Sequence, residues 1–75
     1  MKNVIIRNSE LLIATELEIE IVNCFANDMR TKEVAEKAII NIRTMESKVG
    51  RIKDKYGVKT VHGLVYLFAK NNLIE

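Results

Sequence analysis

Proline and tryptophan are missing from this 75-residue chain, and glycine occurs only three times. With so few helix breakers, the composition suits helices joined by short turns. A single cysteine, Cys24, excludes an internal disulfide and fits a reducing compartment. That cysteine and the lone histidine, His62, cannot supply the three or four ligands of a usual zinc site. No apolar run approaches the roughly 18 residues needed to cross a bilayer. The start, "MKNVIIRN", has an apolar centre of three residues, too short for a signal peptide. The expectation is a cytoplasmic protein with no membrane contact.

Charge of one sign is also scarce, the formal net value being only +2, but the charges are unevenly spread. Residues 43–59 hold Arg43, Lys48, Arg51, Lys53, Lys55 and Lys59 against Glu46 and Asp54. A weakly charged chain with one basic segment reads either as a solvated helix face or as a surface for a polyanion. At 48% hydrophobic and 29% charged, the remainder is that of a single globular domain rather than a disordered chain.

Four helices follow from local signals. Thr15 and Glu18 form a capping box that starts helix one, about Glu16 to Ala26, the threonine accepting from one amide while the glutamate reaches back to another. Leu17, Ile21, Cys24 and Phe25 recur at helical spacing, and Asn27 and Asp28 are stop residues. Helix two runs from about Thr31, as its cap, to Ala38, with Val34, Ala35 and Ala38 on one side. Asn41 caps helix three, Ile42 to Tyr56. Gly57 and Val58 end it, glycine taking the left-handed conformation. Thr60 caps helix four, about Val61 to Asn71, with Leu64, Leu67 and Phe68 facing inward and Leu73 and Ile74 packing under it. Residues 1–13 admit two readings: "VII" as a short strand, or "SELLI" as a helix start capped by Ser9.

Helix three raises a question, because Gly50 sits in its middle, where glycine costs about 1 kcal/mol relative to alanine. The apolar stripe Met45, Val49, Ile52 and Tyr56 falls within about 60° of arc. Opposite it lie Arg43, Ser47, Gly50, Arg51 and Asp54; Glu46 and Lys53 flank one side, and Thr44, Lys48 and Lys55 the other. Small groups on a ridge allow close approach, hydrogen-bonding groups meet base edges and flanking cations meet phosphates. A short helix, a tight turn and then this helix have the layout of a helix-turn-helix. Taken alone, Gly50 can equally be a tolerated glycine or a slight bend.

Several stretches in register resemble the LuxR/GerE-type helix-turn-helix domain of bacterial transcription regulators. The family's T-x-x-E-x-E is present as Thr15, Glu18 and Glu20. Its N-K-E-I-A is similar to "TKEVA", Thr31 to Ala35, and its I-S-x-x-T-V-K/E to "INIRTME", Ile40 to Glu46. Its I-x-x-K-L-G-V is similar to "IKDKYGV", Ile52 to Val58, and "NLI" stands where the family usually has G-L-I. The resemblance runs from Ala14 to Ile74. It implies an all-α, four-helix domain over residues 14–75, with 1–13 as a short N-terminal extension.

It further implies that helix three reads the major groove of double-stranded DNA. The family's base-contacting positions fall on Glu46, Ser47 and Gly50, and Arg43 joins them on the ridge. Its phosphate-contacting positions fall on Arg30, Thr31, Thr44 and Lys48, with Arg51 and Lys59 added by charge. Asp28 and Arg30 depart from the family's glycine and serine before helix two. Lys48 replaces its usual histidine, and Glu46 is acidic where lysine is common, although glutamate can accept from cytosine N4. The family commonly dimerises through helix four, where Val61, Val65, Tyr66 and Ala69 are apolar beyond the inner face, so a homodimer is expected.

No side-chain set suggests catalysis. His62 has no carboxylate or cysteine at ligand spacing, Ser9 and Ser47 lack a base, and no glycine-rich loop can cradle a phosphate. Glu16, Glu18 and Glu20 belong to a helix N-terminus, where negative charge is stabilising. The expectation is a DNA-binding protein without enzymatic activity, metal, cofactor or small-molecule substrate. A different class of function also fits. A free-standing module, beginning with methionine just before the fold and lacking a sensing domain, could pair with a full-length regulator as co-activator or antagonist. The stretch could equally be part of a longer protein.

Overall fold

The computed structural model describes residues 2–5 and 11–74, with side chains from Leu12 onward. Two short strands, β1 (Lys2–Ile5) and β2 (Leu11–Ala14), precede four helices: α1 (Glu16–Ala26), α2 (Thr31–Ala38), α3 (Ile42–Tyr56) and α4 (Val61–Lys70). The strands pair antiparallel, with Lys2 opposite Ala14 and Ile5 opposite Leu11. The strand reading of the N-terminal segment therefore holds for Val4 and Ile5, and a helix through Leu11–Ala14 is excluded. Ser9, the cap proposed for that helix, lies outside the described residues. The body of the protein is helical, as its composition implied, with this ribbon added.

The caps fix the helices. At α1, Thr15 Oγ1 accepts from the Glu18 amide at 3.1 Å and Glu18 Oε1 accepts from the Thr15 amide at 3.0 Å. At α3, Asn41 Oδ1 accepts from the Thr44 amide at 2.7 Å. Gly57, at φ +68°, closes α3, with the Val58 amide donating to the Lys53 carbonyl. Thr60 Oγ1 accepts from the Gly63 amide at the head of α4, and Asn71, expected inside that helix, is its C-terminal cap. Thr31 is not the cap of α2. Arg30 holds that position, and Glu33 reaches back to accept from the Arg30 amide at 2.9 Å.

The core joins all four helices to the end of β2. Phe68, Met45, Leu64 and Val22 are its largest fully buried side chains, and the Tyr56 and Phe68 rings meet edge-on at 5.2 Å, a favoured aromatic geometry. Two residues expected inside are not. Leu17 is 54% exposed, because the eight-residue α2 ends beside it and leaves it over a small cleft lined by Ile21, Cys24, Val34 and Ala38. Ala38, the last residue of α2, is itself exposed. Leu67 and Phe25 pack against the core but are only half-buried.

One cluster locks α3 to the start of the chain. The Glu18 carboxylate accepts from Tyr56 Oη at 2.7 Å and from Lys55 Nζ at 3.0 Å on each oxygen. Lys55 Nζ also donates to the Ile13 carbonyl at 2.8 Å. Burial pushes the Glu18 carboxyl up, but hydrogen bonds from Tyr56, the Thr15 amide and Lys55, with the lysine charge, outweigh it and hold the pKa below its ordinary value of 4.5. The Tyr56 hydroxyl is pushed up, first by burial and then by its bond to the Glu18 anion.

A depressed carboxyl pKa gives stability that is present above the unfolded value and lost as pH falls through the folded one. A raised tyrosine pKa gives stability lost as pH rises above 10.0. Urea unfolding of wild type and Glu18→Gln between about pH 3 and 7 should show the two curves converging on the acid side. A constant gap across that range would mean that the charge of Glu18 is not what holds the cluster.

Candidate nucleic-acid interface

The inward stripe of α3, Met45, Val49, Ile52 and Tyr56, is buried throughout. Helical periodicity then turns Arg43, Ser47, Gly50, Arg51 and Asp54 outward, and all of these are exposed except the partly covered Gly50. Of the ten candidate contact residues, Arg43, Thr44, Glu46, Ser47, Lys48, Gly50 and Arg51 share the outer arc and shoulders of this one helix. Lys48, at the edge of the arc, is half-buried. The other three come from neighbouring elements. Arg30 caps α2, Thr31 is the first residue of that helix, and Lys59 lies in the turn between α3 and α4.

A Cβ built on Gly50 meets nothing within 4 Å, and the backbone there is ordinary helix. No packing contact inside the protein requires glycine at this position, so nothing in the fold offsets its helix penalty of about 1 kcal/mol. Gly57 is different, because its left-handed φ of +68° is a backbone demand.

Electrostatically the molecule is divided. Residues 30–59 hold nine lysines and arginines against four acidic side chains, whereas residues 11–29 hold four acidic side chains and no cation. One cation of the basic segment is committed elsewhere. Lys55, counted from the sequence as a shoulder of α3, is paired with Glu18 at 3.0 Å and serves the fold.

The residues assigned to a partner contact on α4 split into two groups. Val61 and Val65 pack against the core and are half-buried, whereas Tyr66 and Ala69 are exposed. On the helical wheel Val61 and Val65 sit at the rim of the Leu64–Phe68 face, while Ala69, His62 and Tyr66 share an outward arc of about 60°. His62, expected at the surface or facing a partner, is exposed beside them.

Among the described residues, no group of three His, Cys, Asp or Glu side chains is arranged to hold a metal ion, and Cys24 is a buried free thiol. No helix among them is long and apolar enough to cross a membrane. Searches against protein-family models, curated proteins and solved structures find no match for this chain.

Proposed function

We propose that this protein binds duplex DNA as a LuxR/GerE-like helix-turn-helix module of transcription regulation, with α3 in the major groove. The observation that carries the reading is the outward ridge of α3, where a Cβ on Gly50 would meet nothing within 4 Å and Arg43, Ser47 and Arg51 are exposed on the same arc. Such a ridge lets the helix backbone approach base edges while Lys48 and Arg51 meet phosphates. One small module buries little surface on DNA, so tight binding calls for a dimer on two half-sites about one helical turn apart. The exposed Tyr66–Ala69 strip of α4 is the surface offered for that dimer.

Selection of bound sequences from a random duplex pool, followed by titration at several salt concentrations, tests the proposal. A paired half-site motif is expected. Lys48→Ala and Arg51→Ala should each weaken binding on all sequences and flatten the log–log salt dependence by about one unit. Gly50→Ala should unfold later on heating yet bind the selected site less well, because its methyl group fills the gap on the ridge. Failure of the wild type to retain any duplex at low salt would dispose of the reading.

A further inference from the structure

Of the base-contacting candidates Arg43, Glu46, Ser47 and Gly50, only Glu46 is acidic. A carboxylate brought against DNA is repelled by the phosphates, and a hydrogen bond from a base edge is what offsets that repulsion. Glu46 is exposed and uncommitted, since the only ion pair among the described residues joins Lys55 to Glu18. Its neighbours one turn away along α3 are Ile42, Arg43, Val49 and Gly50, so Arg43 is the single cation beside it. Arg43 is exposed as well, and the same ion-pair census leaves its guanidinium free.

The backbone places these two side chains together. On the helical wheel Arg43, Gly50 and Glu46 fall within an arc of about 60°, with Gly50 between the other two. A side chain at position 50 would lean back over the turn that carries Glu46 and Ser47. A Cβ there meets nothing within 4 Å, and with glycine in place that turn stays open to an approaching base pair. Arg43 and Glu46 are also separated by about 4.5 Å along the helix axis, close to the base-pair step of about 3.4 Å.

We propose that Arg43 and Glu46 read a guanine and a cytosine on neighbouring base pairs, making Glu46 the residue that selects cytosine in each half-site. The inference rests on the reading of α3 as the major-groove helix. An ionised glutamate only accepts hydrogen bonds. In the major groove guanine and thymine present no donor, whereas cytosine N4 and adenine N6 do. Adenine sets its N7 acceptor beside that donor and so repels the second carboxylate oxygen. Cytosine has a C–H there instead. Guanine suits Arg43, whose fork matches the O6 and N7 acceptors.

The test is selection from a random duplex pool with the full chain and its Glu46→Gln, Glu46→Ala and Arg43→Ala variants. All three changes fall on exposed positions and leave the buried stripe of α3 intact. The wild type should select a cytosine at one position of each half-site, with guanine at the adjoining pair. Glu46→Gln should move that one position to adenine, because glutamine pairs with N6 and N7 together. Glu46→Ala should accept any base there, and Arg43→Ala should relax the guanine. Exchanging the cytosine pair in the selected site should weaken the wild type by about ten-fold and Glu46→Ala by less than about two-fold.

A Glu46→Gln motif identical to that of the wild type would overturn the inference and leave DNA binding standing. So would Glu46→Ala binding every duplex more tightly with unchanged base preferences, which would make Glu46 a repulsive charge and nothing more. A wild type that retains no duplex at low salt would remove the major-groove reading and this inference with it.

Discussion

Replacing Phe68 by alanine is expected to lower stability by about 3–5 kcal/mol, the range for emptying a fully buried aromatic site. Phe68 is completely covered and stands edge-on to Tyr56, so the change removes the ring contact and leaves a void between α3 and α4. A domain of this length holds about 4–11 kcal/mol in total; the substitution therefore consumes a large share of it. Urea unfolding followed by helical circular dichroism would show the midpoint falling sharply. Phe68→Leu, which keeps most of the volume, should lose far less. Similar losses for both would mean that the site is not a packed one.

The largest gain is expected at Ile39. This residue closes α2 with φ +58° and is 90% exposed. A left-handed conformation costs an L-residue about 1–2 kcal/mol, and a β-branched side chain is especially ill-suited to it. Glycine adopts it freely, at the expense of a more flexible unfolded chain. Because the isoleucine side chain buries little, Ile39→Gly forfeits almost no apolar contact. A net gain of about 1 kcal/mol corresponds to a melting point some 4–8 °C higher, and Ile39→Asn should move it in the same direction. A lower melting point for both would show that the exposed isoleucine makes a stabilising contact.

The bounds of α1 and α3 were legible because each end carries its own chemistry: the Thr15–Glu18 box, Asn41, and Gly57 with Val58. The inward stripe of α3 followed from spacing alone. At α2 the sequence misled by one position. Thr31 is a good cap type, but the cap is Arg30, whose backbone amide is satisfied by Glu33 and whose side chain has no acceptor to offer. No local pattern announces the left-handed turn at Ile39, because isoleucine is among the last residues expected there.

The outward ridge of α3 could be derived from periodicity, but the pairing of Lys55 could not. Glu18 had an evident local task as a capping residue, and its second partner lies 37 residues away. That Leu73 and Ile74 lie alongside Ile19 and Ala26 of α1 becomes visible only when the chain end is laid against that helix.

The Glu18 cluster also has a kinetic consequence. The turns between helices are three or four residues long, so neighbouring helices meet after closing only small loops. The carboxylate joins Lys55 and Tyr56 only when the first turn of α1 meets the last turn of α3 across 37 and 38 residues of chain. Contacts made after the rate-limiting step leave the folding rate alone and govern how fast the native state opens. A clasp that closes last on the finished bundle is therefore expected to set the lifetime of the native state more than the speed of its assembly, and Glu18→Gln to unfold faster while folding at close to the wild-type rate.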